Sequence, residues 1–200
     1  MKKLTSREIA LSAALASLSA VVQLVHIGYQ SPAWGMWIDV VAVSWIIAYF
    51  LFGIRSSLLV TLVGTLIITL FAPDTWLGAS MKFVATLPVI LALFGWSVLR
   101  KNGSFAYPRP MQLVVPLILA IVVRSAVVLP LNYFYAIPIW TGMSPDKAMA
   151  AIPWFIIAGF NAVQSVLDVA LAWIIVYQFK LSRFSKSRLQ GETLEPGEKV

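Results

Sequence analysis

Long apolar stretches recur along most of this sequence, and they constrain its fold more than any other feature. A helix needs about 20 mostly apolar residues to cross a bilayer, and runs of this kind are separated here only by short polar segments. Hydrophobic residues make up 60% of the 200 residues and charged residues only 12%, whereas soluble domains carry about a quarter charged residues. The sequence therefore predicts an all-α integral membrane protein whose apolar surface is covered by lipid.

Six membrane-spanning helices are predicted to form one compact bundle over residues 1–180, followed by a polar tail, 181–200, that we expect to be disordered. The fifth span should be interrupted by Pro116 and Pro130, because proline removes a helical hydrogen bond. The expected spans are Glu8–Gly28, Met36–Gly53, Ser56–Ala72, Leu77–Leu99, Met111–Ile139 and Ile152–Phe179.

The lysines and arginines predict how the bundle is oriented. With the amino terminus inside, only Lys82 and Lys147 fall outside and Arg124 lies within a span. Short cytoplasmic loops carry an excess of basic residues, so both termini are predicted to be cytoplasmic. The net charge of +7 is then explained by topology rather than by nucleic-acid binding. The twelve basic residues on the cytoplasmic side are Lys2, Lys3, Arg7, Arg55, Arg100, Lys101, Arg109, Lys180, Arg183, Lys186, Arg188 and Lys199.

Several chemistries are made improbable by missing residue types. The sequence has no cysteine and a single histidine, His26, so neither a thiol nucleophile nor a metal site is expected. No glycine is followed by lysine, so the glycine–lysine pair that the phosphate-binding loop of ATPases requires is missing. No nucleophile–base pair stands out either. We therefore expect neither an enzyme nor a bound cofactor.

The sixth predicted helix carries the most informative polar residues. Asn161, Gln164 and Asp168 are spaced so that they share one helix face. Polar groups inside a bilayer are costly, so this face should look into the bundle. It would form either the polar wall of a solute pocket or a set of interhelical hydrogen bonds, and the spacing leaves both interpretations open.

Two features of the fifth helix complement that face. Arg124 lies at a depth similar to that of Asp168, which favours a structural ion pair over a proton relay. Asn132 opens an aromatic run with Tyr133, a combination that suits a flat heteroaromatic solute but is also typical of an interfacial aromatic belt. Near the external ends of helices two and four, Asp39 and Lys82 would line an external cavity or reach the lipid headgroups.

The first helix carries small residues at helical spacing, including Ala10, Ala14 and Ser17. Such a stripe lets another helix approach closely. It indicates either a docking face for a partner membrane subunit or internal packing of the bundle.

Taken together, these segments resemble the S components of energy-coupling factor (ECF) vitamin transporters, over roughly residues 7–179. The resemblance is carried by the alanine-rich first helix, Ile38-Asp39, the stretch from Gly78 to Phe83, Leu131-Asn132-Tyr133-Phe134 with Pro138, and Gly159-Phe160-Asn161. The sequence is most similar to the riboflavin-specific members. Gly159 stands where those members have proline, and Gln164 where they have lysine.

The resemblance implies a substrate-binding subunit of a prokaryotic cell membrane rather than a complete pump. Asn132 and Asn161 match ligand contacts of the family, and Gln164, Tyr133, Asp39 and Lys82 are further candidate binding residues. The implied partners are a vitamin, riboflavin first, a transmembrane T component that docks at Ala10 and Ala14, and two cytoplasmic ATPases.

Three alternatives remain open from the sequence alone. The ligand could be another vitamin, such as pantothenate or a thiamine precursor. The protein could be a standalone proton-coupled carrier in which Asp168 titrates, or a membrane scaffold that binds no ligand.

Overall fold

The protein is almost entirely helical in the computed structural model, which describes residues 4–25, 27–31, 33, 35–71, 76–100 and 107–181. His26, seven of the twelve predicted cytoplasmic basic residues and the predicted tail beyond Leu181 lie outside these ranges. The helices are α1 (Ser6–Val25), α2 (Val41–Phe52), α3 (Ile54–Phe71), α4 (Trp76–Leu99), α5 (Val114–Leu131), α6 (Ile137–Thr141), α7 (Pro145–Ala151) and α8 (Trp154–Trp173). Strands β1 (Gly28–Gln30) and β2 (Trp37–Asp39) form an antiparallel hairpin before α2.

Five helical stretches in the described residues are long and apolar enough to cross a membrane, which confirms the predicted all-α membrane class. They are Ser6–Val25, Ile54–Phe71, Trp76–Leu99, Pro110–Thr141 and Trp154–Gln178.

The second predicted span, Met36–Gly53, is shorter than expected. Its first residues form β2, and α2 has only 12 residues, or about 18 Å at 1.5 Å per residue.

Helix α2 is the central element of the bundle. Its residues 41–50 are all buried, and it packs against α1, α3 and α8. A helix that is apolar on every side is stable only when neighbouring helices surround it. The short α2 therefore forms the core around which the longer helices are arranged.

The fifth span is continuous, so the predicted interruption at Pro116 and Pro130 is wrong. A 3₁₀ turn (Pro110–Leu113) leads directly into α5, and a π-helical segment (Asn132–Ala136) joins α5 to α6. Pro116 lies in the first turn of α5, where a missing N–H is tolerated. Pro130 lies just before the π-helical segment, and such a wider turn accommodates a lost hydrogen bond.

Helix α1 has one buried face and one exposed face. Ser12, Ala16, Ser19 and Ala20 are buried, and α1 packs mainly against α3 and α2. The close approach of α1 to α3 depends on Gly64, because a Cβ added there would lie 2.6 Å from Ser19 Oγ and 2.9 Å from Trp45 Nε1. Helices α1 and α3 can therefore meet at this distance only around a glycine.

Replacing Gly64 by alanine is expected to lower the free energy of unfolding by about 1–3 kcal/mol, because a methyl group forced into a filled interior shifts its neighbours. Both Ser19 and Trp45 are fully buried and have little room to move. The control is Gly95→Ala on α4, where nothing lies within 4 Å of the added Cβ. Thermal unfolding of the purified protein in detergent measures both, and equal melting temperatures for the two variants would contradict the packing argument.

An aromatic cluster fills one end of the bundle. Phe50 at the end of α2 packs edge-on against Tyr107 and Tyr177, with ring centroids 6.0 and 5.6 Å apart. Trp173 stacks on Tyr177, and its Nε1 donates to the Tyr107 backbone oxygen at 2.8 Å. Tyr49 completes the cluster, with its hydroxyl 3.2 Å from Ser97 Oγ. This end holds the carboxyl ends of α2 and α8, which the topology prediction assigns to the cytoplasm.

Candidate functional site

A cavity of about 480 Å³ opens at the opposite end of the bundle from the aromatic cluster. Small-molecule sites in proteins have volumes of about 300–1,000 Å³, so the space suits one ligand of moderate size. Its walls come from the hairpin, α4, the α5–α6 stretch and α8. Among the residues that line it are Gly35, Met36, Trp37, Asp39, Met81, Lys82, Thr86, Arg124, Asn132, Trp140, Phe160, Asn161, Gln164 and Asp168.

The outer part of the cavity is apolar and aromatic. Met36 and Trp37 of the hairpin, Met81 of α4, Trp140 of α6 and Phe160 of α8 line it. Gly35 has a φ of +64°, and a Cβ there would collide with the Trp140 ring. The glycine therefore lets the backbone entering β2 lie directly against α6. These flat and polarisable side chains can contact the faces of a ring system.

Two asparagines line the cavity from neighbouring helices. Asn132 Nδ2 donates to the Val128 backbone oxygen at 2.9 Å, and Asn161 Nδ2 donates to the Ile157 backbone oxygen at 2.9 Å. An amide offers two N–H donors and two acceptor lone pairs. Each side chain is thus fixed in orientation by its own helix and keeps a second N–H available. The structure brings together the two residues that the sequence singled out for ligand recognition.

Four charged side chains also line the cavity, and they alternate in sign. Lys82 Nζ forms an ion pair with Asp39 Oδ2, and Arg124 Nη1 lies 3.8 Å from Asp168 Oδ2. Arg124 is buried and also donates from Nε to Asn161 Oδ1 at 2.9 Å. The formal charges of the four groups sum to zero, so the cavity offers a ligand hydrogen bonds without a net charge.

Gln164 lines the cavity but directs its amide at protein groups. Its Nε2 lies 2.7 Å from the Asp39 backbone oxygen and 2.7 Å from Asp168 Oδ1. Its Oε1 accepts from the Asp39 backbone nitrogen at 3.0 Å. Both amide hydrogens are therefore engaged.

Tyr133, predicted to contact substrate, has a different position. Its ring is buried among the residues around Ile137 and Ile157, and its hydroxyl donates to the Ile152 backbone oxygen at 2.7 Å. It is not among the described residues that line the cavity. The π-helical turn that begins at Asn132 thus directs the asparagine into the cavity and the tyrosine behind its wall.

Thr86 of α4 was not among the site residues predicted from the sequence. Thr86 lines the cavity, is buried, and its Oγ1 has no hydrogen-bond partner among the described residues. The available signal was a hydroxyl two residues before Pro88, inside a mainly apolar span. A polar residue at that depth is costly unless it meets a partner.

Ala10 and Ala14 lie on the exposed face of α1, together with Ala13 and Ser17. The buried face of the same helix is formed by other small residues, among them Ala16 and Ser19. The stripe is therefore split between the two uses that the sequence left open. Its inner half packs within the bundle, and its outer half is free to meet another helix.

Comparisons with known proteins agree with this arrangement. The sequence is 25% identical to the riboflavin transporter RibU of Lactococcus lactis subsp. cremoris strain NZ9000, over 90% of this protein and 97% of that one. It is equally similar to the riboflavin transporter RibU of strain MG1363. A solved structure of the S component of a bacterial ECF transporter superposes with a TM-score of 0.68, at 23% sequence identity, covering 89% of this protein and 96% of that one. No protein-family model matches the sequence.

These comparisons confirm the resemblance to ECF S components that the sequence predicted. The fold is that of an S component. The relatives are transport proteins, which also confirms the prediction of a membrane transport protein rather than an enzyme.

Proposed function

We propose that this protein is the substrate-binding S component of an ECF-type importer, and that it captures riboflavin or a closely related flavin. The main support is the cavity that two orientated asparagines share with an aromatic and methionine-rich wall. The similarity to riboflavin transporters over nearly the whole length points to the same ligand class.

The chemistry of the cavity fits a flavin in two ways. Asn132 and Asn161 each keep an N–H for the alternating carbonyl and ring-nitrogen pattern of a flat heteroaromatic ring. The cationic groups of Lys82 and Arg124 each face a carboxylate, so the site favours an uncharged ring system. Trp37, Trp140 and Phe160 supply the apolar surface that such a ring buries.

We further propose that the bundle crosses the membrane six times, with both termini in the cytoplasm and the cavity facing outside. Of the five predicted cytoplasmic basic residues within the described ranges, Arg55 lies in the first turn of α3, Arg100 follows α4 and Arg109 precedes α5. Lys82 belongs to the cavity end. The distribution follows the usual excess of basic residues in cytoplasmic loops.

Transport in this proposal needs three further subunits. The exposed small residues Ala10 and Ala14 of α1 meet a transmembrane T component, and two cytoplasmic ATPases supply the energy. Because the ATPases hydrolyse ATP in this complex, the protein itself needs no phosphate-binding glycine–lysine loop, and its sequence contains none.

The first test is flavin binding by the purified protein. We expect the preparation to bind riboflavin, seen as flavin absorption bands and as quenching of riboflavin fluorescence. A colourless preparation that binds no flavin but binds pantothenate or a thiamine precursor would keep the S-component class and replace the substrate. A preparation that binds none of them would contradict the proposal.

Asn132→Ala and Asn161→Ala are each expected to weaken riboflavin binding by about 1–3 kcal/mol, because a polar group of the ligand is then buried without a partner. Fluorescence titration measures the dissociation constants. Gln178→Ala removes the same kind of amide from an exposed position at the far end of the last helix, and it should leave the dissociation constant unchanged. Equal affinity of both asparagine variants and the wild type would place the ligand elsewhere.

A further inference from the structure

One hydrogen-bonding arrangement in the cavity wall serves the protein rather than a ligand. The Gln164 amide pairs with both the backbone N–H and the backbone carbonyl of Asp39, as a neighbouring strand would. Its remaining N–H is used by Asp168, and the side chain is only 4% exposed. Since an amide has two N–H donors, Gln164 has none left for a bound molecule.

The partner of this amide is the last residue of β2. Asp39 pairs with Gly28 of β1 in the hairpin register. Its carboxylate accepts from the Val41 backbone nitrogen at 2.9 Å and forms the ion pair with Lys82. Asp39 is therefore tied to α2, to α4 through Lys82, and to α8 through Gln164.

The hairpin needs such external anchors. An isolated pair of short strands is only marginally stable, and β1 and β2 have three residues each. Every residue of β1 is exposed, so that strand contributes little burial. The position of β2 then depends on what holds Asp39.

We propose that Gln164 is a positioning residue that holds β2 against α8 and so fixes the cavity wall formed by Gly35, Met36 and Trp37. This inference rests on the proposed function, in which the wall encloses a bound ligand. It assigns Gln164 a different task from Asn132 and Asn161, which recognise the ligand directly. Asp168 and Arg124 support the orientation of Gln164, because Asp168 accepts its second amide hydrogen and Arg124 faces Asp168.

The test is hydrogen exchange of the full-length protein in detergent, without ligand. Gln164→Met keeps an unbranched side chain of similar length and removes all three hydrogen bonds. We expect the amides of β1 and β2 to exchange about tenfold faster or more, because two backbone hydrogen bonds that oppose opening are lost. The amides of α2, α3 and α5 should keep their wild-type protection. Gln178→Met makes the same replacement at the exposed end of the last helix and should change nothing.

Ligand kinetics supply a second measurement. In Gln164→Met we expect riboflavin to dissociate about tenfold faster, in step with hairpin opening, while association is no slower. Weaker binding with wild-type hairpin exchange in the ligand-free protein would make Gln164 a direct ligand contact and overturn the inference. Unchanged hairpin exchange together with unchanged binding would overturn it as well.

The role of Gln164 can still be tested if Gln164→Met does not fold or if the wild type binds no ligand. If Gln164→Met does not yield folded protein, Gln164→Glu takes its place, because it retains the acceptor for the Asp39 N–H and removes both donors. The same faster exchange of the hairpin amides is expected in Gln164→Glu. Unchanged exchange in that variant would overturn the inference. If the wild type binds none of the tested vitamins, the proposed function fails, but the hairpin measurement still decides the role of Gln164 because it uses the ligand-free protein.

Discussion

Replacing Asp168 by asparagine is expected to lower the free energy of unfolding by about 3–5 kcal/mol, because it leaves a buried guanidinium without its counter-charge. Asp168 and Arg124 are 1% and 5% exposed, so water cannot replace the lost partner. The remaining hydrogen bonds of Arg124 go to Asn161 and Ser165, which carry no charge. Thermal or denaturant unfolding of the ligand-free protein measures the change.

A double-mutant cycle tests whether the pair is the cause. Arg124→Met alone should also destabilise the protein, since it leaves the carboxylate buried beside Gln164. The double variant should lose clearly less than the sum of the two single variants, because no uncompensated charge remains. Strictly additive losses would show that the two groups do not stabilise each other. A transport pH profile that shifts strongly in Asp168→Asn would instead favour the proton-coupled carrier.

Replacing Ala14 by phenylalanine is expected to abolish transport while leaving riboflavin affinity unchanged. Ala14 lies on the exposed face of α1, away from the cavity, and small residues let two membrane helices approach closely. An overpacked contact of about 1–3 kcal/mol lowers an association constant roughly five- to 150-fold. Co-purification with the T component and the ATPases, uptake in cells and fluorescence titration provide the three measurements.

Leu91→Phe is the matched control for that variant, because it enlarges an exposed apolar residue on α4. It should assemble and transport like the wild type. Loss of flavin binding in Ala14→Phe would show that this part of the stripe supports the bundle internally. Normal transport in Ala14→Phe would place the docking surface on another helix.

The membrane class and most spans could be predicted from the sequence, because an apolar run of about 20 residues has the length that a helix needs to cross a bilayer. The start of the second span could not. Trp37 and Ile38 belong to an apolar run, and short runs of this kind do not distinguish a strand from a helix by periodicity. In the structure they form β2, and α2 begins only at Val41. Helix α7 lies between the fifth and sixth predicted spans and was not predicted, although Ser144 and Pro145 stand at the positions that often begin a helix.

The candidate site shows a similar division. The spacing of Asn161, Gln164 and Asp168 predicted that they share a face, and all three line the cavity. Counting depth along two antiparallel helices predicted the proximity of Arg124 and Asp168. The pairing of Gln164 with the backbone of Asp39 joins residues 125 positions apart, and it depends on a hairpin that the sequence did not indicate. Local patterns fix which face a residue occupies, but only the tertiary fold decides which group it meets.

The aromatic cluster of Tyr49, Phe50, Tyr107, Trp173 and Tyr177 has a consequence for delivery. None of its members lines the cavity within the described residues, and their rings interlock across the far end of the bundle. Within the described residues, this end of the bundle is closed and the cavity opens only at the other end. In the proposed function, a ligand would therefore leave by the opening through which it entered, and release inside the cell would require that opening to change sides of the membrane.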